Sequence, residues 1–534
     1  MSTPQSSSII LNTLGLTRPD GSVALRNITA VFGLGRTGLI GHNGSGKSTL
    51  LRLIAGERAP TSGSITLSGE VGYLPQTLTL DRDTTAADLL GVRHKIDALR
   101  AIESGDTSVT HVDTLGEEWD IETRAGAALR SVGLGAGDLD RTVGRLSGGE
   151  TVLLAIAGLR LRASPISLLD EPTNNLDRDA RERLADMVRS WRGTLVTVSH
   201  DTALLELMDS TAELHDGQLT VYGGPYSAYR EHLAREQEAA RQSVRTAEQA
   251  LTREKRQQIK TETMLARRAR TGRAVQESRS EPRIVMGRRA SAAQVSSGKL
   301  RANSTHRVQD ARAGVNTAAA RLRADEQIHI DLPDPHIPSG RHLAELRGLN
   351  RSFIVQGRER IAITGPNGVG KSTLLDTLVQ PVTARRGRAS AVAHTERVGY
   401  LTQRLDTLNP LASVLDSVQD AAPTVTPGEL RNRLARFLIR GDAVERPVHT
   451  LSGGERFRVA LACVLLADPP PQLLVLDEPT NNLDLGSVDQ LVAALGSYRG
   501  GLIVVSHDDA FLGRLGIDRR LALSAAGELV EVTE

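Results

Sequence analysis

Five short motifs occur twice, in the same order, along this chain of 534 residues. GHNGSGKSTLL at 41–51 returns as GPNGVGKSTLL at 365–375, and VGYLPQ at 71–76 as VGYLTQ at 398–403. LSGGE at 146–150 returns at 451–455, LLDEPTNNLD at 168–177 as VLDEPTNNLD at 475–484, and VTVSHD at 196–201 as VVSHD at 504–508. Chance does not give five ordered matches twice, so the chain holds two copies of one domain. The glycine-rich motif is displaced by 324 residues between copies, the last three motifs by only 305 to 307. The first copy therefore carries about 20 extra residues between Gln76 and Ser147. They fall near 90–120, where HKIDALRAIESGDTSVTHVDTLGEEWD reads as helical segments around a polar break.

Each copy alternates apolar β-branched runs with helical patterns, which predicts an α/β domain built on a parallel sheet. IAITG before GPNGVGKS reads as strand, loop, helix, and LLVLD and LIVVS as buried strands. In that context G-x-x-x-x-G-K-S is a phosphate-binding loop. Its glycines let the backbone wrap a phosphate chain, whose charge meets N–H groups and a helix N-terminus. Lys47 and Lys371 are placed for the β- and γ-phosphates, Ser48 and Ser372 for Mg²⁺. Asp170 and Asp477 end apolar strands, as Mg²⁺-coordinating carboxylates do. Glu171 and Glu478 follow at once and are placed to orient or deprotonate a water. His200 and His507 each close a strand ending in Ser. LSGGE reads as a loop opening a helix and gives each copy a second anion site. One copy cannot readily present both its lysine loop and its LSGGE to a single γ-phosphate. Two copies facing head to tail can.

The net charge of +2 hides a segregation. Residues 230–330 contain 22 Lys and Arg against 11 Asp and Glu, a balance of +11, which leaves the rest of the chain at −9. This connector is no flexible linker. Ala240, Val244, Ala247 and Leu251 recur at four-three spacing, as do Val308, Ala311, Val315, Ala318 and Leu322. Both fit weak seams of a helical pair, with Gly272, Pro282, Gly287 and Gly298 interrupting. The expectation is an antiparallel helical hairpin, each helix about 40 residues and about 60 Å long. Its tip region, Arg267–Arg289, holds eight arginines, two glutamates and no aromatic residue. Arg267, Arg268, Arg270, Arg273, Arg279, Arg283, Arg288 and Arg289 are candidate RNA contacts, because guanidinium groups bind phosphate bidentately. Without aromatics, folded RNA suits the tip better than stacked single strands. A solvated spacer is the plainer alternative.

A single cysteine, Cys463, excludes an internal disulfide and a multi-cysteine zinc site. No apolar run approaches the roughly 18 residues that span a bilayer, and MSTPQSSSIILNTLGL lacks the basic start of a secretion signal. A soluble, cytoplasmic protein is expected.

Both halves resemble ATP-binding-cassette ATPase domains, with ATP and Mg²⁺ as the implied ligands. Carried over, Gly41, Asn43, Gly44, Gly46, Lys47, Ser48 and Thr49 match the Walker A loop, as do Gly365, Asn367, Gly368, Gly370, Lys371, Ser372 and Thr373. Gln76 and Gln403 match the Q-loop, a further metal contact. Ser147, Gly148, Gly149 and Glu150 match the signature, as do Ser452, Gly453, Gly454 and Glu455. Asp170 and Asp477 match Walker B, Glu171 and Glu478 the catalytic glutamate, Asp177 and Asp484 the D-loop, His200 and His507 the switch histidine. The resemblance implies one site between Lys47 and Ser452 and another between Lys371 and Ser147. Two departures stand out. TVLL follows the first signature where RFRV follows the second. LTRPDGSVAL at 16–25 also lacks the aromatic residue on which family members often stack adenine, with Arg18 as an alternative.

The layout, with YGGPYSAYREH at 222–232 leaving the first cassette, resembles the ABC-F family across nearly the whole chain. That implies cassettes over 1–228 and 331–534, a short arm-like insertion near 90–120, and a linker over 229–330 similar to the P-site tRNA interaction motif. It implies 70S ribosome binding through 23S rRNA and P-site tRNA, by a monomer whose own cassettes pair. Family members either relieve stalled translation or displace macrolides, lincosamides, streptogramins or pleuromutilins. The ATPase subunit of a drug exporter is the alternative, though such a subunit has no evident use for the basic hairpin.

Overall fold

The computed structural model describes residues 8–19, 21–78, 81–106, 108–174, 176–277, 283–322, 332–379, 389–402, 408–481 and 483–532, with backbone alone for 272, 275–277, 283–287 and 289–290. The chain forms two compact units, one of Met1–Tyr226 with Glu326–Glu534, the other of Ser227–Asp325.

In the first unit each half builds a six-stranded sheet. The strand order in the first half is Val71–Leu74, Ile166–Asp170, Thr194–Val198, Gly35–Ile40, Ser210–His215, Gln218–Gly223. The second half repeats it with Val398–Leu401, Leu473–Asp477, Gly501–Val505, Arg360–Thr364, Arg519–Leu523 and Leu529–Val532. Ile166–Asp170, Thr194–Val198, Leu473–Asp477 and Gly501–Val505 are buried at every position, the pattern of strands covered on both faces. The register pairs Asp170 with Val198 and Asp477 with Val505. The residues that follow, Glu171 and His200 or Glu478 and His507, thus emerge side by side at the carboxyl ends of neighbouring strands, where open α/β sheets place their sites.

The sheets differ from the all-parallel expectation in one strand each. Gln218–Gly223 and Leu529–Val532 run antiparallel to their neighbours. In the first half the cause is local: Asp216 and Gly217 both take positive φ (49° and 74°) and close a two-residue hairpin. Each half also carries a three-stranded antiparallel sheet, Val23–Phe32, Ile9–Thr17, Ser62–Leu67 in the first and Ser352–Gln356, His342–Arg347, Ser390–Ala393 in the second. In the first half Ile9, Leu11, Leu50, Ile54, Leu168 and Val198 fill one core with the helix that follows the phosphate loop. The insertion near 90–120 contains two helices, Arg93–Glu103 and Val109–Leu115.

The second unit is formed by the helices Tyr226–Glu277 and Arg283–Ala319, of 52 and 37 residues. At 1.5 Å per residue the longer reaches roughly 78 Å. The first is longer than the expected length of about 40 residues, and both continue through expected breaks, Gly272 in the first and Gly287 and Gly298 in the second. A glycine costs about 1 kcal/mol in a helix, too little to end one this long. Pro282 lies outside the described residues. The expected seams are among the less exposed positions: Ala240 is buried, and Val244, Ala247, Leu251, Val308, Ala311, Val315 and Ala318 are half-buried.

Candidate functional site

The phosphate loop leaves the central strand Gly35–Ile40 and opens the helix Lys47–Ile54. Its second copy leaves Arg360–Thr364 and opens Lys371–Val379. Gly41 and Gly365 sit at φ 151° and 141°, and a Cβ on either would lie 2.4 or 2.3 Å from the carbonyl oxygen of Leu214 or Leu523. Only glycine lets the loop pass that close. Lys47 and Lys371 are buried. Lys47 Nζ donates to the carbonyls of Gly41 (2.7 Å) and His42 (3.1 Å), and Lys371 Nζ to those of Gly365 (2.6 Å) and Pro366 (3.0 Å). Burial lowers the pKa of both amines, while Glu171 or Glu478 nearby opposes the shift.

The carboxylates converge on the same place. Ser48 Oγ donates to Asp170 Oδ1 at 3.1 Å, and the helix that starts at Lys47 thereby meets the strand end. Glu171 and Glu478 take left-handed backbone conformations, φ 52° and 46°, unusual for a non-glycine residue. Their N–H groups donate to Val198 O and Val505 O, both at 2.9 Å, which holds the turn. Strain of this kind marks functional turns. His200 Nε2 lies 3.1 Å from Glu171 Oε1, and His507 Nε2 3.3 Å from Glu478 Oε1. Burial pushes both glutamates up to about 7, and pushes His200 down to about 3 and His507 to about 4. These pairs are therefore contacts of a neutral imidazole rather than ion pairs. Lys371 Nζ lies 2.8 Å from His507 Nε2, so that nitrogen is the acceptor.

In the second half these groups line a cavity of about 400 Å³ formed by Gly368, Gly370, Lys371, Ser372, Thr373, Asp477, Glu478 and His507 with Asn367 and Asn481. Leu176 of the first half closes it. Asp477 Oδ1, Glu478 Oε1 and Glu171 Oε2 are buried with no protein partner among the described residues. Carboxylate and hydroxyl oxygens with spare lone pairs, beside a lysine and a helix N-terminus, fit a hard divalent cation held with phosphates. One glutamine in each half is the remaining member of the candidate metal set. Gln76 is exposed just beyond Val71–Leu74, and Gln403 lies outside the described residues.

The signature residues open helices. Ser147 caps Gly148–Leu161 and Ser452 caps Gly453–Leu465, each in a reciprocal box with Glu150 or Glu455. Ser147 N donates to Glu150 Oε2 at 2.7 Å and Ser452 N to Glu455 Oε2 at 2.8 Å. The two halves meet through the D-loop aspartates. Asp484 Oδ2 accepts from Asn43 N at 2.8 Å, and Asp177 Oδ2 from Asn367 N at 3.2 Å. Each signature packs beside its own D-loop: a Cβ on Gly454 would lie 3.5 Å from Ser487 Oγ, and one on Gly149 3.3 Å from Leu176 Cδ2.

Arg18, the alternative adenine partner, donates to Gly44 O at 3.4 Å and so stands beside the first phosphate loop. Motif reading passed over Tyr73 and Tyr400, although VGYL contains one in each copy. Tyr73 reaches Asp170 Oδ2 at 3.5 Å and Tyr400 reaches Asp376 Oδ1 at 3.0 Å. Of the linker candidates, Arg267, Arg268, Arg270, Arg273 and Arg288 are exposed. Arg279 and the side chains of Arg283 and Arg289 lie outside the described residues.

The ABC transporter family profile matches residues 29–174 and 349–481. The tylosin resistance ATP-binding protein TlrC of Streptomyces fradiae is 32% identical over 545 residues, covering 95% of this chain and 96% of that one. The probable ATP-binding protein YheS of Escherichia coli (strain K12) is 32% identical, over 91% of this chain and 74% of its own. ABC transporter F family member 5 of Arabidopsis thaliana is 27% identical, over 93% and 72%. Among solved structures, the RNase-L inhibitor shares the fold with a TM-score of 0.55 at 17% identity, over 96% of this chain and 88% of that one. No helix among the described residues is long and apolar enough to cross a membrane. With two such cassettes in one chain and relatives that match more than nine-tenths of it, this protein is an ATP-binding-cassette ATPase of the ABC-F family.

Proposed function

We propose that the protein is an ATP-driven ribosome-binding factor. Its linker acts toward the peptidyl-transferase centre, either protecting the ribosome from an antibiotic of the macrolide, lincosamide, streptogramin or pleuromutilin class or relieving stalled translation. The observation that carries this reading is the arginine-dense helical pair between two cassettes, in a chain that matches over 95% of its length a relative named for tylosin resistance. On this reading the cassettes span 1–228 and 331–534 and the linker 229–330, and a cytoplasmic monomer pairs its own cassettes.

The geometry of the two sites supports the following assignment of their chemistry. Lys47 and Lys371 exchange loop carbonyls for the β- and γ-phosphates of ATP. Ser48 with Asp170, and Ser372 with Asp477, hold Mg²⁺, joined by Gln76 and Gln403. The metal, when bound, neutralises the charge of the phosphates. Glu171 and Glu478 take the proton of the attacking water. His200 and His507, neutral and buried, stand beside these glutamates and face the γ-phosphate. Ser452 closes over the nucleotide at Lys47, and Ser147 over that at Lys371. The contacts of Asp484 with Asn43 and of Asp177 with Asn367 support this pairing. ATP binding then closes the cassettes and docks the linker on 23S rRNA and P-site tRNA, and hydrolysis releases it.

The test is a cell-free translation assay with Glu171→Gln, Glu478→Gln protein. This variant should arrest synthesis in the presence of ATP while the parent protein does not. If it binds ATP and translation proceeds at the normal rate, the ribosome is the wrong target, and a membrane partner is the next one to seek.

A further inference from the structure

The two copies reverse a charge at one equivalent position. GKSTLLR in the first copy places Arg52 five residues after Lys47, and GKSTLLD in the second places Asp376 five after Lys371. Each lies one helical turn past the serine assigned to the cation, and each side chain engages the tyrosine of its VGYL strand. In the first copy Arg52 hydrogen-bonds Tyr73, and the Tyr73 hydroxyl lies 3.5 Å from Asp170 Oδ2. Asp170 Oδ1 accepts from Ser48, so both of its oxygens face protein donors. In the second copy the hydroxyl of Tyr400 donates to Asp376 Oδ1 at 3.0 Å, away from Asp477. Asp477 Oδ1 is left buried without a partner.

Two effects then act in the same direction. A cation at Asp170 shares its field with the guanidinium of Arg52. A cation at Asp477 gains the carboxylate of Asp376 and need not compete with a tyrosine for the oxygen it binds. The charge felt by the neighbouring carboxylates shows the same contrast. Burial raises both Asp170 and Asp477, but Arg52 works against the rise at Asp170 while Asp376 adds to it at Asp477.

We propose that the site of the second cassette holds its divalent cation more tightly than that of the first, because Asp376 stands where the first has Arg52 and draws Tyr400 off Asp477. This deepens the reading of the two phosphate loops as nucleotide sites and rests on it. Arg52 and Asp376 are both exposed, so water and salt screen their charges, and the difference is roughly three- to tenfold in affinity. When divalent cation is scarce the Lys371 site loads first, and the cassettes fill in a fixed order.

The test uses full-length protein, a non-hydrolysable ATP analogue, and Mn²⁺ titrated as the probe, with free Mn²⁺ read by electron paramagnetic resonance. Two classes of bound Mn²⁺ are expected. Lys371→Ala should remove the tight class and Lys47→Ala the weak one. Asp376→Asn should weaken the tight class by about threefold, Arg52→Gln should tighten the weak one, and the gap should narrow at high salt. A single class, a tight class that disappears with Lys47→Ala, or no response to Asp376→Asn overturns the inference while leaving the nucleotide sites intact. If the analogue does not bind at either loop, the nucleotide reading fails and the inference with it.

Discussion

Asp484 of the second cassette accepts the backbone N–H of Asn43 in the first at 2.8 Å, 441 residues away in sequence. Burial alone would raise the Asp484 carboxyl. The His42 ring, Asn43 N–H and Ser487 together hold it well below the usual carboxylate range. Asp484 also caps its own helix, accepting from Ser487 N at 2.8 Å. One buried carboxylate thus joins a helix start, the D-loop and the opposite phosphate loop. Asp484→Ala removes a cap and a charge-assisted hydrogen bond, a loss of about 2 kcal/mol. Calorimetry should show a lowered melting transition, and ATP turnover should fall with it. Because its pKa is depressed, the contribution of Asp484 is present above about pH 4 and lost on acidification. Asp177→Ala should cost less, since its bond to Asn367 N is longer, 3.2 Å.

Glu171→Gln and Glu478→Gln keep the size of each side chain and remove the carboxylate proposed as the base. Single-site turnover should fall by about 10²- to 10⁴-fold at the altered site. ATP binding, measured by equilibrium dialysis, should remain. Undiminished hydrolysis in the double variant would exclude these glutamates as bases.

The ATPase rate should depend on pH in a direction that the burial of these glutamates fixes. A base must be ionised to accept the proton of water, and burial pushes Glu171 and Glu478 up to about 7. Activity should therefore rise between pH 6 and 8, as an acid limb in the kcat/KM profile. His200 and His507, pushed down to about 3 and about 4, stay neutral over that range and add no limb of their own. A profile already flat at pH 6 would contradict the assignment.

The exposed arginines of the linker should act through phosphate charge. Replacing Arg267, Arg268, Arg270, Arg273 and Arg288 by glutamine keeps the helices and removes five charges. Ribosome affinity should fall, and the slope of log K against log salt should flatten by up to about 4, at roughly 0.7 to 0.9 per lost contact. An unchanged slope would mean that these side chains do not touch RNA.

The parts of this molecule written in repeated motifs were legible because each motif is a local instruction. Gly-x-x-x-x-Gly-Lys-Ser specifies a loop whose backbone only glycine permits, and LLVLD specifies a strand that delivers Asp477 to a known end of the sheet. The helical seam of the linker was legible from Ala240, Val244 and Leu251 for the same reason. The length of the first helix was not, because the propensity of the flanking residues carries the chain through Gly272. The antiparallel edge strand of the first half is not legible in the sequence pattern because two residues, Asp216 and Gly217, decide its direction. Tyr73, Tyr400, Arg52 and Asp376 were invisible as site residues, since their roles arise only when a helix and a strand far apart in sequence come together. The turn at Glu171 and Glu478 is likewise a property of the folded backbone.

On the proposed function, ATP binding by the paired cassettes places the linker on the ribosome. Co-sedimentation of the Glu171→Gln, Glu478→Gln protein with 70S ribosomes tests it most directly, with and without ATP, beside a version lacking residues 267–289. The full protein should pellet with ribosomes only when ATP is present, and the shortened one should pellet less at physiological salt. A full protein that binds ATP yet stays in the supernatant would contradict the claim.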